Sequence, residues 1–302
     1  MKLRLGTRRS LMAMTQSGLV ADALTERTGH EVALVGVTTQ GDVSTADVAQ
    51  MGGTGVFVSA LRQKVLDGEV DFAVHSLKDL PTAPAEGIAL AAVPPRDDPR
   101  DALCGEAKLA DLPRGARIGT GAPRRMAQLR ALRHDLKVVP IRGNADTRLR
   151  KVTTGECDAV VLAYAGLTRI NRLDAVSEIF DPAQMLPSPG QGALAVECRA
   201  DRTDLLEILA TLDDYASRAA VAAERALLAA LEGGCSAPVG AYAAVEDRTL
   251  LHLIGVVTGY DGERQVRLSE SGHPDLAERL GRDLAARMIA KGADQLMGER
   301  TS

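Results

Sequence analysis

The sequence predicts an α/β protein made of two similar doubly wound lobes and a smaller C-terminal α+β domain. Three observations carry this. Over roughly the first two hundred of the 302 residues, short apolar runs alternate with helical periodicity, the signature of strands fed by crossover helices. Two stretches recur: Arg4-Leu5-Gly6-Thr7-Arg8-Arg9 is echoed by Arg117-Ile118-Gly119-Thr120-Gly121-Ala122-Pro123-Arg124-Arg125, and Gly68-Glu69-Val70-Asp71 by Gly155-Glu156-Cys157-Asp158. Beyond Pro187-Ser188-Pro189-Gly190-Gln191-Gly192 the alternation gives way to an Ala-rich helix and further strands. A chain of this length exceeds what one core usually organises.

Taken in order, residues 3–6 read as a strand, followed by a helix with Leu11, Met14, Ala21 and Leu24 on one side, closed by Gly29. A second strand follows at 32–37. Gly68 ends a helix over about 56–67, ahead of a strand at 71–74. The Pro-rich, charged segment 94–100 suits neither helix nor central strand and marks the lobe junction. The expected division is 1–95 with 193–213 for the first lobe, 96–192 for the second, and 214–302 for the third domain, with a cleft between the lobes. In that third domain a helix ends near Leu231-Glu232 and strands lie around 250–257 and 265–268. Leu276, Leu280, Leu284 and Met288 form a core-facing stripe on the closing helix.

Composition narrows the function classes. Aromatic residues make up 2% with no Trp, which disfavours base-stacking platforms, and a net charge of -4 gives no overall attraction to nucleic acid or acidic membranes. Anion binding must then come from a local basic cluster. No secretory signal pattern opens the chain and no window reaches membrane-spanning length, so a cytoplasmic protein is expected, with neither nucleic acid nor membrane as partner. Cys104, Cys157, Cys198 and Cys235 stand singly, without zinc-site spacing, and a reducing compartment disfavours disulfides.

Arginines recur where strands hand over to helices: Arg8, Arg9, Arg124, Arg125, Arg142, Arg148 and Arg169. In parallel α/β lobes these positions border the crevice at the strand C-termini, and the guanidinium fork matches carboxylates. A ligand with several acidic groups explains the set, although any one of them could be a solvated surface arginine. The run Val74-His75-Ser76-Leu77-Lys78-Asp79-Leu80-Pro81 leaves a buried strand at the same edge. Asp79 is the candidate acid/base there, able to relay a proton or stabilise a cation; a helix cap or a pairing with Lys78 explains it equally well. His75 reads as packing. Met51-Gly52-Gly53-Thr54-Gly55 lacks the ending of a P-loop and reads as a nucleotide signal or a flexible loop over the cleft. Cys235 follows two glycines at a helix end, on a turn where an accessible thiol could act as a nucleophile; the other cysteines adjoin apolar runs and read as packing.

Five of these runs, Gly6-Thr7-Arg8-Arg9-Ser10, His75-Ser76-Leu77-Lys78-Asp79, Ile141-Arg142-Gly143-Asn144, Pro189-Gly190-Gln191-Gly192 and Glu232-Gly233-Gly234-Cys235, occur together and in order. In this the chain resembles the hydroxymethylbilane synthase, or porphobilinogen deaminase, family over essentially its whole length. The resemblance implies a transferase of porphyrin biosynthesis that adds four porphobilinogen molecules, each losing ammonia, to a dipyrromethane cofactor held by a thioether to Cys235. The linear tetrapyrrole is then hydrolysed off. It implies Asp79 as the catalytic residue, protonating the aminomethyl group and stabilising the azafulvene cation. Ser76, Lys78, Asp79, Thr120, Arg124, Arg125 and Arg148 would hold the cofactor; Arg8, Ser10, Arg142, Arg169 and a shared Arg148 would receive substrate. No metal is implied, and a monomer is expected. Some family members carry lysines in and after the glycine-rich loop where this chain has Thr54 and Ser59, so no cationic duty is assigned there. The rival reading is a solute-binding protein for a small dicarboxylate, because periplasmic-binding-protein-like lobes share the architecture; the absent signal peptide and the third domain count against it.

Overall fold

The computed structural model describes residues 2–37, 54–232 and 237–298, with side chains from residue 58 onward in the middle stretch. Cys235 and most of the glycine-rich segment thus lie outside the described residues. In chain order the elements begin with β1 (Lys2–Arg8), α1 (Leu11–Thr28), β2 (Glu31–Val37), α2 (Thr54–Leu66), β3 (Phe72–Ser76) and β4 (Ile88–Ala92). There follow β5 (Asp101–Gly105), β6 (Arg117–Thr120), α3 (Pro123–Leu132), β7 (Lys137–Pro140), α4 (Ala145–Thr153), β8 (Ala159–Ala163), α5 (Tyr164–Arg169) and β9 (Val176–Ile179). The chain closes with β10 (Leu194–Arg199), α6 (Thr203–Ala210), α7 (Tyr215–Ala230), β11 (Val239–Glu246), β12 (Leu250–Thr258), β13 (Gln265–Gly272), α8 (Ala277–Ile289) and α9 (Ala293–Gly298). Two compact units result, one of Met1–Arg96 with Ala193–Arg218, the other of Asp97–Gly192 with Ala219–Ser302.

The first unit holds a five-stranded sheet of order β2-β1-β3-β10-β4; the second holds one of order β7-β6-β8-β5-β9. The orders are equivalent strand for strand. In each, the fourth strand alone runs antiparallel: β10 against β3 and β4, β5 against β8 and β9. These are the strands that follow the first two of the three chain passages between units, and a reading of parallel strands holds for all but one strand per sheet. The sequence echoes have a structural cause. Asp71 accepts the Arg4 backbone N–H at 2.7 Å while Arg4 Nη2 donates to Gly68 O at 2.9 Å; Asp158 accepts that of Arg117 at 2.6 Å while Arg117 Nη2 donates to Gly155 O at 2.7 Å. Gly68 and Gly155, at φ +69° and +71°, supply the left-handed turn that each latch needs.

Both sheets are covered on two faces. Leu3, Leu5, Phe72 and Val74 pack with Val20 and Leu24 of α1 and Leu205 and Leu209 of α6, while Leu61 and Val65 of α2 pack with Ala73 and Val70 on the other side. Strand β8 alternates with period two: Ala159 and Val161 join one core of the second sheet, Val160 and Leu162 the other. Each large side chain so buried contributes about 1.5–3 kcal/mol.

Beyond this sheet, β11-β12-β13 form an antiparallel meander packed on α7 and α8 through Leu227, Leu253, Leu284 and Met288. Strand β11 is a finding the sequence pattern did not suggest. Leu11 and Leu276, expected on core faces, are exposed instead. Leu11 is the first residue after the helix cap, and Leu276 belongs to a 3-10 turn before α8, out of its register. Among the described residues no helix is long and apolar enough to cross a membrane.

Candidate active site

In the first unit, the candidate residues collect at the C-terminal edge of the parallel strands. Arg8 ends β1 and Ser10 caps α1, its Oγ accepting the Ala13 N–H at 3.4 Å. Ser76 ends β3 and is held by Gln16 of α1, whose Nε2 donates to Ser76 Oγ at 2.9 Å. A single 3-10 turn, Leu77–Asp79, then presents Lys78 and Asp79; it is closed by Leu80 N–H to Leu77 O and tied to the sheet by Leu77 N–H to Ala193 O at 3.0 Å. Asp79 is half-buried. Loss of hydration raises its pKa, and the charges of Lys78 and Arg8 oppose that rise. A carboxyl so placed takes up a proton more readily than a surface aspartate and still faces two cations.

Beneath it, His75 is buried with Nε2 3.4 Å from Glu197 Oε2, and Glu197 receives a two-pronged bond from Arg62 at 2.7 and 2.9 Å. Burial lowers the His75 pKa to about 4, Glu197 opposing and Arg62 adding, so it is neutral at pH 7. It is a packing residue, as its place in the strand suggested.

In the second unit, the corresponding edge holds Thr120, Arg124, Arg125, Arg142, Arg148 and Arg169. Thr120 ends β6, buried, its Oγ1 accepting the Ala122 N–H at 3.3 Å. Gly121 has no alternative, because a Cβ there would meet Ile141 O at 2.6 Å. In Ile141-Arg142-Gly143-Asn144, Gly143 adopts φ +113°, Asn144 caps α4 by accepting the Thr147 N–H at 2.9 Å, and Arg142 is left exposed at the tip. Arg148 is half-buried and bonds Gly143 O through Nε at 2.8 Å; burial lowers its pKa, and the Arg125 charge adds to that.

Arg169 donates to Asp97 Oδ2 at 2.8 Å and to Gly192 O at 2.6 Å, its side chain only 6% exposed. Arg124 and Arg125 are buried around one carboxylate, Asp101. Arg125 reaches Asp101 Oδ1 through Nε at 3.0 Å and Nη2 at 2.7 Å, and Arg124 Nη1 lies 2.8 Å from Oδ2. Burial alone would raise the Asp101 pKa, but the two guanidinium charges outweigh it and hold the carboxyl well below the usual range. Arg124, Arg125 and the nearby Arg148 against the single carboxylate of Asp101 leave a local excess of positive charge at this edge, which suits a ligand rich in carboxylates.

Among the described cysteines, Cys104, Cys157 and Cys198 are buried free thiols. Burial pushes Cys104 up to about 12 and Cys198 to about 11, so neither forms a thiolate at neutral pH. Among the described residues no cluster could hold a metal ion. Sequence reasoning missed Gln16, Asp101 and the contacts of Gln191. A polar residue on the apolar side of a helix was the available signal for Gln16; for Asp101 it was a carboxylate opening an apolar strand.

Comparison with known proteins gives the family. Residues 3–207 match the family model described as "Porphobilinogen deaminase, dipyromethane cofactor binding domain", and residues 218–290 match "Porphobilinogen deaminase, C-terminal domain". A porphobilinogen deaminase of Thermobifida fusca is 60% identical over 98% of this chain and 96% of its own length, and porphobilinogen deaminase 1 of Streptomyces coelicolor is 58% identical over 99% and 98%. Among solved structures, an ABC transporter periplasmic substrate-binding protein from Coxiella burnetii aligns with TM-score 0.43 at 14% identity, over 70% of this chain and 91% of that one. The whole-length match, including the third domain, places this chain in the porphobilinogen deaminase family.

Proposed function

We infer that the chain is a hydroxymethylbilane synthase whose working carboxylate is Asp79. Family membership assigns the reaction: porphobilinogen molecules are joined, with loss of ammonia, onto a covalently bound dipyrromethane cofactor, and the linear tetrapyrrole is released. The family match does not favour the solute-binding alternative. The observation carrying the role of Asp79 is its place on the turn after β3, half-buried, proton-accepting and flanked by Lys78 and Arg8.

Asp79 can pass a proton at the substrate's aminomethyl nitrogen and then, ionised, face the cation that loss of ammonia leaves behind. The cofactor supplies, when bound, the nucleophilic pyrrole carbon that receives each new unit. Gln16 orients Ser76 beside Asp79. Arg124, Arg125, Arg148, Ser76, Lys78 and Thr120 hold cofactor groups, the arginines meeting its carboxylates. Arg8, Ser10, Arg142 and Arg169 receive the carboxylates of incoming units, with Arg148 shared. For Arg169 this means exchanging Asp97 for a substrate carboxylate, a swap of one charge-assisted bond for another.

Cys235 is the tether in this reading, supported by the raised pKa values of the buried thiols. Intact mass of the purified chain tests it: an adduct of two pyrrole units is expected on the native chain and none on Cys235→Ser, and an active native chain without the adduct would refute the tether. A cytoplasmic monomer completes the proposal. Buried free thiols suit a reducing compartment, and sedimentation at the chain mass of 31.8 kDa is the expected result.

A further inference from the structure

The motif Pro189-Gly190-Gln191-Gly192 has no part in the chemistry above, yet its glutamine is almost wholly buried. Gln191 Nε2 donates to Asp101 Oδ1 at 2.8 Å and to Pro99 O at 2.7 Å, and its Oε1 accepts from Arg125 Nη2 at 3.3 Å. Asp101 is itself wholly buried at the first position of β5, across from Ala163 at the end of β8. Its carboxylate is therefore fixed by strand pairing from below and by Gln191 from the side, and Arg124 and Arg125 are built onto it.

Two guanidinium groups this close repel, and burial makes the repulsion costly unless a counter-charge lies between them. Arg125 is anchored further by Nη1 to Val161 O at 3.0 Å, and Arg124 by Nη1 to Leu186 O at 2.5 Å. Arg124 meets Asp101 Oδ2 at 2.8 Å and Leu186 O through the same nitrogen, Nη1, so its position is set by these two acceptors.

We propose that Asp101, oriented by Gln191, is a positioning residue that prealigns Arg124 and Arg125 for the cofactor's carboxylates. The proposal rests on the reading that these arginines hold the cofactor. Asp101, wholly buried, acts through the two arginines: it fixes where they point, and two cations against one anion leave a net positive charge for the incoming carboxylates to meet.

The test uses the full-length, cofactor-free chain incubated with porphobilinogen, with adduct formation followed by intact mass. Asp101→Asn keeps the size and one acceptor but removes the counter-charge. The concentration for half-loading should rise by about tenfold, the loss of an oriented charge-assisted bond, while loading at saturation recovers and the circular dichroism stays native. A half-loading concentration equal to or below that of the native chain would overturn the proposal, even if the variant melts earlier, since a purely structural role moves only the melt. Should Asp101→Asn not fold, Gln191→Leu provides the second arm: a rise of at least about threefold is expected once Asp101 loses the charge-assisted bond that orients it, and no rise overturns the proposal. Arg124→Lys separates the two layers of argument. Impaired loading in Arg124→Lys beside normal loading in Asp101→Asn defeats this inference alone; normal loading in Arg124→Lys defeats the reading beneath it.

Discussion

At the scale of single residues, Asp79 links stability to chemistry. Its folded pKa is raised by burial, so the ionised form is what the fold disfavours. The stability associated with the protonated carboxyl is complete below the ordinary aspartate pKa and is lost as pH rises through the higher folded value. Asp79→Asn removes that penalty. At neutral pH the variant should melt at or slightly above the native temperature, and the difference should vanish near pH 3–4, where the native carboxyl is protonated as well. Turnover should fall by at least about a hundredfold, the usual scale for losing a positioned acid/base. A variant that turns over normally would remove Asp79 from the mechanism, and one that melts several degrees early at pH 7 would contradict the burial argument. His75 shows the opposite sign: its depressed pKa means that stability present above pH 6.5 is lost as pH falls toward about 4, a structural effect two strand positions from the chemistry of Asp79's turn.

At the scale of elements, the chain shows which contacts can be read locally and which cannot. The turns Gly68-Glu69-Val70-Asp71 and Gly155-Glu156-Cys157-Asp158 were legible as an echo because the glycine, the carboxylate and the strand that follows are neighbours in sequence, whereas the latches they make to Arg4 and Arg117, 67 and 41 positions away, were not. The Asn144 cap and the arginine that precedes it were legible for the same reason. Gln191 and Asp101 are 90 positions apart, and nothing local marks either as the other's partner. Helix crossings are equally hidden. Gly281 of α8 reads as an unremarkable helix residue, yet a Cβ there would lie 2.3 Å from Ala223 O and 2.8 Å from Leu227 N on α7. Alanine normally improves a helix interior by up to about 1 kcal/mol, whereas forcing two packed backbones apart costs about 1–3 kcal/mol or more. The clash wins because the obstructing atoms are backbone and cannot rotate away. Gly281→Ala should therefore lose about 2 kcal/mol in denaturant unfolding, and a gain in stability would show that α7 and α8 are not in contact through this glycine.

At the scale of the whole molecule, fold class and anion preference came from pattern and charge; the tether did not, because the role of Cys235 depends on chemistry that no spacing records. Charge also makes the last prediction. The chain carries a net charge of -4 while its candidate site residues are predominantly cationic, so a substrate with two carboxylates meets distant repulsion and local attraction. Screening acts on them unequally. At about 0.1 M salt the Debye length is near 10 Å, so charges spread over the surface are already muted while pairs within a few ångströms are not. Raising salt from about 0.1 to 0.5 M should then lower kcat/KM a few-fold with kcat nearly constant, since capture of the substrate is what weakens. Exposed and buried arginines should differ. Arg142 stands in solvent and Arg169 has a nearly buried side chain, so Arg142 carries the screened part of the attraction. Arg142→Ala should raise KM by about tenfold at 0.1 M salt and flatten the salt dependence, leaving the melting temperature unchanged. Initial rates across a salt series decide it: an equal slope in native chain and variant would move the capture of substrate to other arginines, and a native rate that rises with salt would mean that the net negative charge, rather than the local cluster, governs the encounter.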